Sequence, residues 1–131
     1  MKKTRLTPVE WEIMEAIWHL HGSPSVRDVL EYAFPGGEKA YTTVQTIMNN
    51  LVEKGYLRRE KTGMVNFYSP VKRRAQVVHS ETSKLLARLF HGSVPALASH
   101  LLNSKDLTLE EIKEIRILLE KRAEELKEHR Q

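Results

Sequence analysis

A mainly α-helical chain with one small β-hairpin is predicted by three observations. First, Tyr41 to Glu53 carries Val44, Ile47, Met48 and Leu51 at the i, i+3, i+4, i+7 spacing of a single buried helix face. Second, that helix runs through Lys54-Gly55 directly into two short runs that read as strands and are rich in Arg and Lys. Third, from Val71 onward every periodic stretch is helical. Helix, helix, break, helix and hairpin in that order describe an N-terminal winged helix-turn-helix over residues 1–71. Residues 72–131 then form a C-terminal helical unit, expected to dimerise.

The elements follow from local signals. Thr7-Pro8-Val9-Glu10 is a capping box with proline at the first helical position, so a helix runs from there to about His21. Its buried side is expected to carry Trp11, Met14, Ile17 and Trp18, and Gly22 ends it. Ser25 and Asp28 start a second helix, reaching about Ala33, that turns Val26, Val29 and Leu30 inward. Phe34 to Lys39, with Pro35-Gly36-Gly37 inside it, is a break. The third helix begins near Tyr41, and Gly55 supplies the left-handed residue that ends it. Tyr56 to Lys61 leaves as a strand, Thr62-Gly63 turns, and Met64 to Ser69 returns before Pro70 removes a donor. Farther on, helices are expected over Lys72–His91, ending at Gly92, then from Ser93-Val94-Pro95, and last after the capping box Thr108 to Glu111. The long first one of these carries Ala75, Val78, Leu85, Leu86, Leu89 and Phe90 as its apolar positions.

The outer face of the third helix points to a function. Thr42, Thr43, Thr46, Asn49, Asn50 and Glu53 face out there. Thr and Asn are weaker helix formers than the Glu, Lys and Arg of an ordinary solvated face. Short hydrogen-bonding side chains suit the reading of base edges in a major groove. Tyr41, Thr42, Thr43, Thr46 and Asn49 are therefore the candidate base readers. Arg58, Arg59 and Lys61 crowd the ribbon beside them and, with Arg5, are the candidate contacts to the DNA backbone.

Charge agrees with this division. The chain of 131 residues has a net charge of +4 and an apolar content of 40%. Residues 1–74 hold twelve Lys and Arg against eight Asp and Glu, whereas residues 75–131 hold nine of each. The whole positive excess lies in the half with the reader, as expected where one half meets a polyanion and the other meets protein. The leucine stripes of the second half offer too little core for a unit so small, and a second copy is the direct remedy. Leu85, Leu89, Leu97, Leu101, Ile115 and Leu119 are the residues expected between the two chains.

Other classes recede. The chain has no cysteine, which removes disulfides, thiolate metal sites and cysteine nucleophiles. Six histidines, His19 and His21 among them, form no helix-borne i, i+4 pair with an acidic third ligand, so no metal or other cofactor is expected. No nucleophile–base pair, phosphate loop or paired carboxylate suggests an enzyme. No apolar run approaches the roughly 20 residues that span a bilayer, and Met1 to Arg5 leads into Thr7-Pro8 without the apolar core of a signal peptide, so a cytoplasmic protein with no membrane partner is expected. Two readings stay open beside DNA binding by a repressor. One is a ligand-sensing regulator on the same winged scaffold, its C-terminal helices enclosing a small molecule, which an apolar cavity near Phe90 and Leu97 would favour. The other is a winged module for protein contact, which an exposed apolar patch on the third helix would support and against which its Thr and Asn face argues.

Three stretches of the chain resemble the penicillinase repressor family, which includes the repressors of β-lactamase and of methicillin resistance. They are Leu6 to Met14 with Ile17-Trp18; Ala40 to Ile47 with Leu51 to Leu57; and Gly92 to Leu97 through Asp106-Leu107-Thr108. The resemblance implies a homodimeric transcriptional repressor on a palindromic double-stranded DNA operator. In family members governed by a membrane sensor, a regulatory protease cuts the helix after the glycine, between Asn and Phe in the staphylococcal members. The matching pair here is His100-Leu101, a departure that bears on this mode of induction. Copper-responsive relatives use a C-terminal cysteine cluster, which this chain lacks.

Overall fold

Three of the helices begin at reciprocal caps that the sequence announces, and these set the frame. In the computed structural model, which describes residues 5–130, α1 (Pro8–Leu20), α2 (Val26–Ala33) and α3 (Tyr41–Glu53) are followed by β1 (Leu57–Thr62) and β2 (Val65–Pro70). Then come α4 (Arg74–Phe90), α5 (Val94–Leu102) and α6 (Leu109–Glu128). Thr7, Ser25 and Thr108 each accept from the backbone N–H of the third helical residue, Glu10, Asp28 and Glu111, whose side chains return the bond. Among the described residues, six helices with one two-stranded antiparallel hairpin make the fold mainly α. Residues 1–4, on which the signal-peptide reading partly rests, lie outside the described residues.

The chain divides into two compact units, one ending at Ser80 and the other beginning at Glu81. In the first, α1, α2 and α3 close over a core of Ile13, Met14, Ile17, Val29, Val44, Met48 and Leu51, with Tyr56, Leu57 and Tyr68 from the hairpin. The first turns of α4 join this unit. Val77 is buried in it, Arg74 pairs with Glu15 at 2.6 Å, and the Trp18 indole donates to the Lys72 carbonyl at 3.0 Å. The core differs in detail from expectation. Trp11 and Trp18 meet edge to face with centroids 5.7 Å apart and stay half-buried, as do Ile47 and Phe67, while Ile13 and Ala16 go fully inside. Helix α1 packs on α2, α3 and β2 at once, so its buried face is wider than one stripe, and an indole is too large to vanish at its edge. On α4 it is Val77 rather than Ala75 that turns inward; Ala75 is exposed and Val78 half-buried.

Gly55 ends α3 as expected. At φ +85° it lets its own N–H reach the Val52 carbonyl and the Tyr56 N–H reach that of Leu51, the double bond of a Schellman cap. The hairpin register is shifted by one residue. Leu57 pairs with Pro70, Arg59 with Tyr68 and Thr62 with Val65, so the turn is Gly63-Met64 and not Thr62-Gly63. Positive φ at Gly63 (+63°) and not at Met64 is the type II′ pattern, whose twist suits a two-residue hairpin. On its other side β2 is tied to the segment before α2: the Tyr68 N–H donates to the Pro24 carbonyl, and Phe67 forms a bridge with Ser25.

The second unit is built differently. Neither α5 nor α6 contains a buried residue. Leu86, Phe90, Leu97, Ile112 and Ile115 are half-covered, whereas Leu89, Leu101, Ile117, Leu118 and Leu119 stand more than half exposed. Among the described residues no helix is long and apolar enough to cross a membrane.

Candidate nucleic-acid interface

The reader face is set by the burial of its opposite side. With Val44, Met48 and Leu51 wholly buried, α3 turns Thr42, Thr43 and Thr46 to solvent. The first turn of α3 has no acidic residue, and no side chain caps it. Its N-terminal peptide dipoles therefore project a positive field uncancelled by a local carboxylate. Thr42 and Thr43 stand exposed in that turn. Thr46 uses its hydroxyl proton internally, donating to the Thr42 carbonyl at 2.9 Å, which locks its rotamer and leaves a methyl group and an acceptor to face outward. Tyr41 is 40% exposed at the N-terminal edge of the face, with the Arg27 guanidinium 5.4 Å from its ring centroid.

The wing's three candidate cations do not stay together. Alternation along β1 puts Arg59 and Lys61 on the side of buried Leu57, whereas Arg58 and Glu60 share the other side. Of the three, it is Arg59 that bonds to α3 among the described residues: its Nη1 donates to Asn49 Oδ1 at 2.8 Å. The same oxygen accepts from the Tyr68 hydroxyl at 2.9 Å. Burial pushes the Tyr68 phenol pKa up, an effect the adjacent Arg59 charge opposes. Asn49 is thus half-buried and engaged by the wing, unlike the three threonines.

A second bond fixes α3 from behind. Glu10, 5% exposed in the first turn of α1, receives the Lys54 ammonium at 2.6 Å, and Lys54 also donates to the Arg5 carbonyl at 3.1 Å. Burial would raise the Glu10 pKa, but the Lys54 bond and charge and the bonds from Thr7 outweigh it and hold the carboxyl below its ordinary value. Arg5 is exposed at the head of α1, its backbone held in this way.

Sequence reasoning missed Arg27 and the Glu10–Lys54 pair. Arg27 meets Tyr41 across the Phe34–Lys39 break, and a contact between elements leaves no periodic trace. Glu10 was visible as a capping residue, but nothing local announces that the oxygen accepting from the Thr7 N–H, Oε1, also serves a lysine 44 positions away. Outside the reader, a cleft of about 790 Å³ opens on α1 and α2 and is lined by Glu12, Trp18, His19 and Tyr32 among others, with the His19 and Tyr32 rings stacked at 4.8 Å. Among the described residues no cluster of His, Cys, Asp and Glu is placed to hold a metal ion.

The expected dimer residues fall into two groups. Leu85, Leu89, Leu101 and Leu119 are exposed, and Leu97 and Ile115 are half-covered within their own unit. His100 and Leu101 lie in the last turn of α5, both exposed, with the His100 ring 5.8 Å from that of Phe90.

Comparison with known proteins gives this geometry its context. The Penicillinase repressor of Bacillus licheniformis is 28% identical over 129 residues, covering 98% of this chain and 100% of the relative. The methicillin resistance regulatory protein MecI of Staphylococcus aureus (strain N315) is 22% identical over 121 residues, 92% of this chain and 98% of that protein. A solution structure of the DNA binding domain of the repressor BlaI is 30% identical at a TM-score of 0.49, covering 57% of this chain and 92% of that one. The penicillinase repressor family pattern matches residues 6–121, nearly the full length, and the chain belongs to that family.

Proposed function

We propose that this protein is a sequence-specific DNA-binding transcriptional repressor that acts as a homodimer on a palindromic operator. The observation that carries the reading is the exposed Thr42-Thr43-Thr46 face of α3, flanked by Arg59 and Lys61 on the helix-facing side of the wing. Helix α3 enters the major groove, where threonines meet base edges and thymine methyls, while the wing and Arg5 lie along phosphates. The relatives named penicillinase repressor and MecI support the regulatory role.

The C-terminal unit supplies the second copy. Leu85, Leu89, Leu101 and Leu119 leave apolar surface that a twofold partner would cover, and Leu97 and Ile115 are half-covered. Two readers held at fixed spacing then span two half-sites about one helical turn apart. Cleavage between His100 and Leu101 is the proteolytic induction this reading allows. It requires the last turn of α5 to unwind, because both residues are helical.

The test uses a duplex selected by the protein from a random pool. Thr43→Ala or Thr46→Ala should cost about 1–3 kcal/mol on the selected duplex and much less on random duplex. Equal losses on both would remove these residues from base reading, and failure to select any sequence would overturn the function.

A further inference from the structure

Asn49 shares a helix face with Thr42 and Thr46, where an asparagine would ordinarily be assigned to adenine. Its amide is otherwise occupied. Oδ1 accepts from Arg59 Nη1 at 2.8 Å and from the Tyr68 hydroxyl at 2.9 Å. A guanidinium only donates, so the atom facing it must be the oxygen, and the orientation of the amide is settled by chemistry. Bidentate recognition of adenine requires that oxygen together with the NH₂. With the oxygen committed twice, only a donor is left.

We propose that Asn49 is a positioning residue, which clamps the wing's Arg59 to the recognition helix and aims the rest of its guanidinium at the DNA backbone. This rests on the DNA-binding reading above and adds to it a mechanical link between reader and wing. The clamp is itself anchored, because Tyr68 is wholly buried, lies opposite Arg59 in the strand register and fixes the amide from the core side. Arg59 stands on an otherwise exposed strand, and a long side chain there loses rotamer freedom on meeting a phosphate. Holding one nitrogen in advance removes part of that loss. The guanidinium's other N–H groups remain for a phosphate. Lys61, two residues along the same side, has Asn66 opposite it and no such tether to α3 among the described residues.

Asn49→Ala alone would leave the buried Tyr68 hydroxyl without its acceptor and could unfold the unit, so the test is a cycle built on Tyr68→Phe. In that parent, Asn49→Ala should weaken duplex binding about threefold to tenfold, the equivalent of immobilising one long side chain. The loss should be the same on selected and random duplexes. Arg59→Ala should weaken binding and also shallow the dependence of log K on log salt by about 0.9, one phosphate contact. The combined variant should bind as Arg59→Ala does. An equal further loss from Asn49→Ala once Arg59 is gone would overturn the clamp, as would a loss confined to one base pair of the selected duplex. A Tyr68→Phe parent that binds no duplex at all, like the unaltered chain beside it, would overturn the functional reading together with the clamp.

Discussion

Replacing Glu10 by Gln removes one charge while keeping the shape and an acceptor for the Thr7 N–H, so it isolates what the Lys54 pair contributes. Glu10 is 5% exposed and the Lys54 side chain 18%, with 2.6 Å between their atoms, so solvent screens the pair only partly. A hydrogen bond to a charged group is worth about 1.5–3 kcal/mol net. The lower end applies, because Lys54 can swing outward when its partner is neutral. A carboxylate in the first turn of a helix adds about 0.5 kcal/mol through the dipole. The expected loss is therefore about 2 kcal/mol at neutral pH, which at 4–8 °C per kcal/mol lowers the midpoint of a domain of this size by roughly 8–16 °C. Both tryptophans, Trp11 and Trp18, belong to the N-terminal unit, so intrinsic fluorescence reports its unfolding alone. The pH dependence gives the sharper check. The folded-state pKa of Glu10 lies below the ordinary 4.5, so its contribution is complete above that value and is lost as pH falls through the folded pKa. The gap between the two proteins should close on acidification below pH 4.5. A gap as wide at the acid end as at neutral pH, or no gap at neutral pH, would refute the reasoning.

Other expectations follow from particular side chains. Gly55→Ala meets no atom within 4 Å, so its cost is the left-handed backbone alone, about 1–2 kcal/mol, seen as a lower urea midpoint with unchanged slope. Lys61→Gln should shallow the salt dependence of duplex binding by about 0.9, while Arg58→Gln, on the far side of the ribbon, should change it less; anisotropy titrations across salt distinguish them. Leu89→Glu with Ile115→Glu should give a monomer by sedimentation that retains the native Trp fluorescence of the winged unit, and a variant still dimeric would relocate the interface.

Much of this was legible because the signals are local. Thr7, Ser25 and Thr108 announce helix starts through residues three positions on, and Gly55 announces a stop through its own backbone freedom. The outward threonines followed from the period of Val44, Met48 and Leu51. The hairpin register was not legible in the same way, since Thr62-Gly63 and Gly63-Met64 both place glycine in a two-residue turn. Pairing of Leu57 with Pro70 decides between them, and it sets Tyr68 opposite Arg59 and Asn66 opposite Lys61, whereas the division of Arg59 and Lys61 from Arg58 follows from strand alternation in either register. The engagement of Asn49 Oδ1 by Arg59 and Tyr68 was not legible either, because a helix pattern tells which face a residue occupies, not which neighbour from another element meets its polar atoms.

The absence of any buried side chain in α5 and α6 bears on dosage. If a second copy is what covers those helices, their stability rises with the abundance of the protein itself, as for any obligate pair. Below the assembly threshold, the number of competent repressors falls as the square of the number of chains made. Operator occupancy then responds more steeply than linearly to synthesis and dilution, and a modest drop in copy number releases the promoter without any change in the reader.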